Sequence, residues 1–529
     1  MNPKTTGWPW LIAAWFVVTV VALLTRPLLP VDETRYASVA WEMWSRGDFL
    51  VPSLNGEPYS HKPPLYFWLV QGGWWLFGVH EWVLRLVAPV VALLVLFAST
   101  RLSRQLWPGN DSTARLTPWL VLGSTFFSAF ASWVQMDMLL VLMTVLGMTG
   151  IALAAREGMR GWLLTGVALG LGILAKGPVI LLHVLPVALL APLWRPGEQG
   201  GSWWRWYAGL LASVVLAALL ALAWALPAAT SGGEAYRAAI LWGQTANRII
   251  GSFAHAHPPW WYLPWLPLLL LPWVLLPWGW SALRHAPLRL DPGLRLCLVW
   301  LVATLLLMSL VSGKQIKYLL PLVPAMALVL ARVWAPMAAQ RVMQRPWLLS
   351  AALLLGGGLL AGAPLWANAA PWMADIGPQW GTLLVVTAFL LLWLPPLTVA
   401  VYPRLLTLLS VWVVVILHLG IYRTAAPAYD LQAVSAFIAR AQADGRQVAI
   451  GGRYHGQFGF PGRLQQALLE VPAGTVLDWA AQHPGDYLVV ISRQPLPAYP
   501  KAVFTQPYRS GYLALWSGEA VTTHPAILH

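Results

Sequence analysis

The side chains able to do chemistry fall in a few short, otherwise apolar neighbourhoods. Asp32 and Glu33 stand in Val-Asp-Glu-Thr-Arg-Tyr-Ala, directly after a first apolar run, and Asp137 opens a later run in Gln-Met-Asp-Met. A carboxylate at the mouth of an apolar helix is either an N-cap or a working acid, because an ionisable group beside hydrocarbon is costly to keep. As a working acid it would serve as general base or orient an acceptor. Lys62, Lys176, Lys314, Lys317, Arg35 and Arg248 are cations in comparable positions. Gathered on one surface they suit a phosphate or pyrophosphate headgroup, with lipid anchoring as the non-catalytic alternative. His61, His255 and His257 are metal-ligand types. Residues 255 and 257 cannot share a helical face, so the spacing does not demand a metal and ordinary hydrogen bonding is the simpler reading.

The elements that must position these groups are membrane helices. The chain has 529 residues, 58% hydrophobic and 10% charged, where a soluble domain carries about a quarter charged. Tryptophan occurs 35 times, as suits a protein with long membrane–water borders. The net charge of +14 does not indicate nucleic acid, because most arginines sit in short loops between apolar runs. Cys297 stands alone, which excludes an intramolecular disulfide. No phosphate-binding glycine loop, dinucleotide fingerprint, paired-cysteine motif or nucleophile elbow occurs, so a nucleotide-dependent cytoplasmic site has no support.

Apolar stretches of membrane-spanning length predict about thirteen transmembrane helices, from Trp8–Thr25 to Leu405–Tyr422, with Leu116–Trp133 and Trp260–Leu283 each counted as one span. The first is expected to be a retained anchor. Lys62–Phe77 is apolar but short, and reads as a helix lying at the interface. With the N-terminus cytoplasmic, alternate loops carry Arg101, Arg104 and Arg115, then Arg156 and Arg160, then Arg195 and Arg205, and the pattern continues to Arg404, in accord with the positive-inside rule. The opposite face then receives Asp32–Tyr36, His61–Pro64, Gln135–Asp137, Lys176–Pro178, His255–Pro258 and Ser312–Gln315. Six polar clusters on one face imply a shared cavity at the outer surface. A transporter would instead place such residues near the midplane. Beyond Tyr422 the apolar runs stop. Gln432–Ala443 reads as an amphipathic helix, and Val448–Gly451, Tyr487–Ser492 and Tyr512–Trp516 as strands. The expected organisation is a membrane domain over 1–427, with its first outer loop at about 27–81, and a small extracytoplasmic α/β domain over 428–529.

These motifs also resemble a known family. Asp32-Glu33-Thr34-Arg35-Tyr36-Ala37, followed by Gly47-Asp48-Phe49-Leu50-Val51-Pro52 and Leu54-Asn55-Gly56-Glu57-Pro58-Tyr59, is similar to the first outer loop of the polyprenyl-phosphate-sugar glycosyltransferases. That family includes the lipid A aminoarabinose transferases and the protein O-mannosyltransferases. His61-Lys62-Pro63-Pro64-Leu65 resembles its Glu-Lys-Pro-Pro-Leu motif, Asp137 a second acid, Lys176-Gly177-Pro178 a Lys-Gly element, and Lys314 with Tyr318 a Lys…Tyr-Leu-Leu-Pro element. The resemblance implies a GT-C membrane fold whose substrates meet at the outer leaflet. A sugar would pass, with inversion, from a polyprenyl-phosphate donor to a lipid or protein acceptor in a bacterial inner membrane, the site and C-terminal domain facing the periplasm. It further implies Asp32 as principal catalytic carboxylate, Asp137 as assisting acid, and Lys62, Arg35, Lys176, Lys314 and Tyr318 at the donor phosphate. His61 replaces the family's glutamate at a position linked to a divalent metal, together with a later histidine here represented by His255 or His257. That departure leaves the branch, the sugar and the acceptor open. A flippase or transporter of lipid-linked sugars and a catalytically inactive scaffold are the rival readings.

Overall fold

The computed structural model describes residues 7–195, 202–243, 256–284, 291–494, 496–497 and 499–528. Arg248 and His255 lie outside them. Among the described residues seven helical segments are long and apolar enough to cross a membrane, and Val179–Leu189, Leu322–Met337, Trp347–Ala361 and Gln379–Leu392 are shorter apolar helices. The chain is therefore a multi-span membrane protein.

The first element, α1 (Trp8–Thr25), is followed by α2 (Asp32–Arg46), α3 (Leu65–Phe77) and α4 (Glu81–Leu106). Helix α4, with 26 residues, runs about 39 Å at 1.5 Å per residue, so its two ends mark the two ends of the bundle. Helix α3 begins at Leu65 because the two prolines before it can only open a helix. It buries Tyr66, Phe67, Val70 and Trp74 while Leu69, Trp75, Leu76 and Phe77 remain exposed.

Two of the expected single spans are broken. Leu116–Trp133 divides into α5 (Asp111–Leu122) and α6 (Thr125–Phe130). The polar groups at the break are satisfied from other elements: Ser410 donates to the Gly123 carbonyl at 2.7 Å, and the Thr125 amide donates to the Leu271 carbonyl at 3.1 Å. Trp260–Leu283 is a chain of short helical turns, at Pro259–Trp265, Leu266–Leu269, Trp273–Leu275 and Pro277–Arg284. Its prolines remove the amide donors that a continuous helix would need.

Next come α7 (Asp137–Glu157), α8 (Met159–Lys176) and α9 (Val179–Leu189). The α7–α8 hairpin turns at Gly158, and its helices meet on glycine. A β-carbon on Gly161 would collide with the Ala154 backbone, and one on Gly150 with Thr165. Such small-residue contacts let membrane helices approach closely.

After Leu431 the chain leaves the bundle and forms a five-stranded sheet from β5 (Val448–Gly451), β6 (Leu469–Val471), β7 (Tyr487–Ser492), β8 (Phe504–Tyr508) and β9 (Gly511–Ser517). The two-residue pairs β1–β2 (Ser53–Leu54, Glu57–Pro58) and β3–β4 (Arg341–Val342, Leu397–Thr398) precede it in the chain. The five strands lie in the order β6-β5-β7-β9-β8, with β5 parallel to both its neighbours and the β7–β9 and β9–β8 pairs antiparallel. Successive residues of a strand face opposite sides. Val448, Ile450, Val489, Leu513 and Leu515 accordingly pack with the helix Gln432–Ala443. Ala449, Leu488, Ala514 and Trp516 pack with the helix Val476–Gln482 on the other face. Strands appear where the alternation predicts them at Val448–Gly451 and Tyr487–Ser492. The short β6 and the β8 strand, which contains Pro507, carried too little pattern to be read from the sequence.

Candidate active site

Helix α2 places the first carboxylate. Its apolar residues Tyr36, Val39, Ala40 and Met43 are buried on one face, and the helix stops at Gly47 in the left-handed conformation with φ 66°, which glycine adopts without strain. Asp32 therefore sits in the first turn, where the helix dipole favours an anion. Its carboxylate pairs with Arg35 one turn on and is about half exposed, at 51%. Glu33 beside it is 4% exposed and pairs with Arg26 at 2.5 Å. One Glu33 oxygen accepts the Leu29 amide at 2.9 Å, the other the Val134 amide at 2.8 Å. Arg26 also donates to the Ser132 carbonyl at 2.5 Å. Glu33 and Arg26 thus tie the start of α2 to the segment that leads into Asp137.

A hairpin brings the next group. Asn55 and Gly56 have φ 58° and 83°, the double left-handed turn that Asn-Gly favours between paired strands, here β1 and β2. Glu42 holds the turn by accepting the amides of Asn55 at 2.5 Å and Gly56 at 3.0 Å, and burial pushes its carboxyl up. The strand leaving the turn delivers Tyr59, His61 and Lys62 to the cavity. The α7–α8 hairpin delivers another pair. Asp137 opens α7, α8 returns to the same end, and Lys176 pairs with Asp137. The Lys176 ammonium also lies 4.4 Å from the Tyr318 ring centroid.

These groups line one cavity of about 760 Å³, within the range of small-molecule sites. Asp32, Arg35, His61, Lys62, Asp137, Lys176 and Tyr318 all border it. Lys314 does not: its ammonium is buried and donates to the carbonyls of His257 at 2.8 Å and Val311 at 2.5 Å. It holds the segment that bridges Ala256 and Gly313, and Lys317 is the lysine of that turn which reaches the cavity. His257 stacks on Trp261 at 4.4 Å and is not among the lining residues. Tyr36, Tyr59, Glu57, Arg453, His455 and Glu470 complete the wall, and sequence reasoning gave none of them a role. The Asn-Gly turn was a signal for the hairpin; nothing in the local sequence announces the C-terminal residues. Burial, with Asp32 nearby, pushes the Tyr36 phenol up, so it stays a neutral hydroxyl at neutral pH.

The described residues do not fit a divalent metal. No three histidine, cysteine or acidic side chains converge among them, and the Asp32 and Asp137 carboxylates of the cavity are paired with Arg35 and Lys176.

The architecture is that of a GT-C membrane protein. The structure of ArnT from Cupriavidus metallidurans bound to undecaprenyl phosphate matches with a TM-score of 0.72 over 97% of this chain and 98% of that one, at 20% identity. Residues 61–224 match the dolichyl-phosphate-mannose-protein mannosyltransferase family. An undecaprenyl phosphate-α-4-amino-4-deoxy-L-arabinose arabinosyl transferase of Sodalis glossinidius is 31% identical over 61% of this chain and 58% of its own length. A Pseudomonas aeruginosa protein of the same description is 32% identical over 67% of this chain and 62% of its own length. The match thus spans about three-fifths of these curated relatives. By fold the chain is of the GT-C type, and in sequence it is similar to the aminoarabinose transferases.

Proposed function

We propose that the chain transfers a sugar from a polyprenyl-phosphate donor to a phosphorylated envelope lipid of the lipid A type, with inversion at the anomeric carbon. The observation that carries this reading is the single cavity in which Asp32 and Asp137 meet Arg35, Lys62, Lys176 and Lys317. In the reaction an acceptor oxygen attacks the anomeric carbon from the face opposite the polyprenyl phosphate. The bond from that carbon to the phosphate oxygen breaks, and its electron pair leaves with the phosphate. Lys62, Lys176 and Lys317, with Tyr318 beside them, neutralise the charge that develops there. Asp137 is spent holding the Lys176 ammonium in place. Asp32 is the more open carboxylate and serves the acceptor: an acceptor phosphate arrives ionised and needs only orientation, whereas a hydroxyl would give its proton to Asp32.

The arginine-rich loops support an orientation with the cavity end periplasmic in a bacterial inner membrane. Residues 1–427 then form the transferase domain, and 428–529 a periplasmic domain that walls the cavity. Mass spectrometry of envelope lipids, glycans and proteins from cells making the wild type or Asp32→Asn at equal membrane levels tests the reading. A sugar adduct made only by the wild type is the expected result and names both sugar and acceptor. Identical adducts from both would overturn Asp32 as the catalytic carboxylate, and no adduct from either would favour transport.

A further inference from the structure

The C-terminal sheet domain contributes a loop to the cavity, and the loop is built into the membrane domain rather than resting on it. Ser38, on the buried face of α2, donates to the Gly456 carbonyl at 2.6 Å and accepts the Phe460 amide at 2.8 Å. Trp41 donates to the Leu464 carbonyl at 3.0 Å, and Asn55 to the Tyr454 carbonyl at 2.9 Å. Phe460 stacks flat on Trp74 at 5.4 Å. Gly456, at φ 75°, takes a conformation that side chains avoid, and a β-carbon there would run into Leu54. Five residues on α2, α3 and the Asn-Gly hairpin therefore fix where Arg453 and His455 stand.

The charges of the cavity fall into two groups. The strongest charged neighbours of Asp137 are Lys176, Lys317 and Lys62, all from the membrane domain. Those of His455 are Arg35, Arg453, Glu470 and Asp32. The two sets adjoin at Tyr36, which has Asp32, Arg35 and Asp137 among its charged neighbours. That arrangement suits an inverting displacement between two anionic substrates, because nucleophile and leaving group lie on opposite faces of the reacting carbon and each brings its own charge.

We propose that Arg453 and His455 form the subsite that binds the acceptor's phosphate, on the Asp32 side of the cavity, while the Asp137 side binds the donor phosphate. The inference rests on the transferase reading and adds to it the place where the acceptor is recognised. Arg453 offers the planar fork that matches a phosphate bidentately, and the His455 imidazole supplies a further donor. The C-terminal domain is then half of the active site, setting which anionic lipid is accepted.

The test measures binding, not turnover, with the full chain in phosphatidylcholine nanodiscs. The probes are undecaprenyl phosphate and a bis-phosphorylated, acylated glucosamine disaccharide (lipid A). Arg453→Ala and His455→Gln should each weaken lipid A binding about tenfold, the loss of one charge-assisted contact. Undecaprenyl phosphate binding should stay within roughly twofold, as for a screened distant charge. Arg453→Lys should recover part of the lipid A affinity, and Lys62→Ala should give the reverse pattern. Equal losses for both lipids, or unchanged lipid A binding in both variants, would overturn the proposal. Sugar transfer measured on the same samples separates the two claims. If the wild type transfers nothing yet the variants divide the lipids as expected, the transferase reading falls and the subsite stands.

Discussion

Asp32 and Glu33 are neighbours in sequence with opposite circumstances. Asp32 opens into the cavity, whereas Glu33 is enclosed with Arg26 and accepts two backbone amides. Removing one partner of a buried pair leaves an uncompensated charge, at about 3–5 kcal/mol. Glu33→Ala should therefore lower the thermal midpoint of the detergent-solubilised protein markedly and reduce its yield in the membrane, while Asp32→Asn should leave both near wild type and abolish transfer. Circular dichroism melts of the two purified variants check this, and equal melts would remove Glu33 from the positioning role. The motif in the sequence drew attention to both acids and could not separate them. What separates them is where Arg26, Leu29 and Val134 come together, and Val134 lies 101 residues away. Lys314 and Lys317 pose the same difficulty: both were visible as cations, and only the fold of Ser312–Leu319 says which one turns its ammonium to backbone carbonyls and which to the cavity.

At the scale of elements, the α7–α8 hairpin sets the distance between Asp137 and Lys176, and glycine sets the distance between its helices. Gly161→Leu has no room for its side chain, because even a β-carbon meets the Ala154 backbone. It should push α8 away from α7, lower the thermal midpoint and cut transfer together. Gly358→Leu, in the helix Trp347–Ala361 where a β-carbon meets nothing within 4 Å, should change neither. Midpoint and transfer rate measured on both variants decide between helix spacing and a general intolerance of leucine. The hairpin's two helices were legible because each is a long apolar run bounded by charge. The broken segments were not, because apolar composition counts residues and does not see geometry. Trp260–Leu283 holds four prolines, at 264, 267, 272 and 277, a signal that outweighs the apolar count once the missing amide donors are considered. At Gly123–Ser124 the break is stabilised by Ser410 and Leu271 from distant parts of the chain, which no local pattern reveals.

For the molecule as a whole, the join between sheet domain and bundle makes the site sensitive to pH through His455. Partial burial, and then the positive charges of Arg35 and Arg453, hold its imidazole below the ordinary histidine value, against the smaller opposing pull of Glu470 and Asp32. The unfolded chain takes up that proton near pH 6.5, but the folded protein resists it. Protons then bind the unfolded state more readily, so stability is lost as pH falls below about 6.5 toward the depressed folded value. The thermal midpoint of the wild type should drop more steeply than that of His455→Gln between pH 7.5 and 5.5. An anion held between Arg453 and His455 changes the sign. It offsets the arginines' field and favours the imidazolium, so lipid A should bind the wild type more tightly as pH falls. The phosphates of the lipid also titrate near pH 6, and His455→Gln, which meets the same phosphates, removes that contribution by comparison. A pH dependence of lipid A affinity identical in wild type and His455→Gln would place the acceptor phosphate elsewhere. A difference confined to the wild type would tie the C-terminal domain's histidine to the ligand rather than to folding alone.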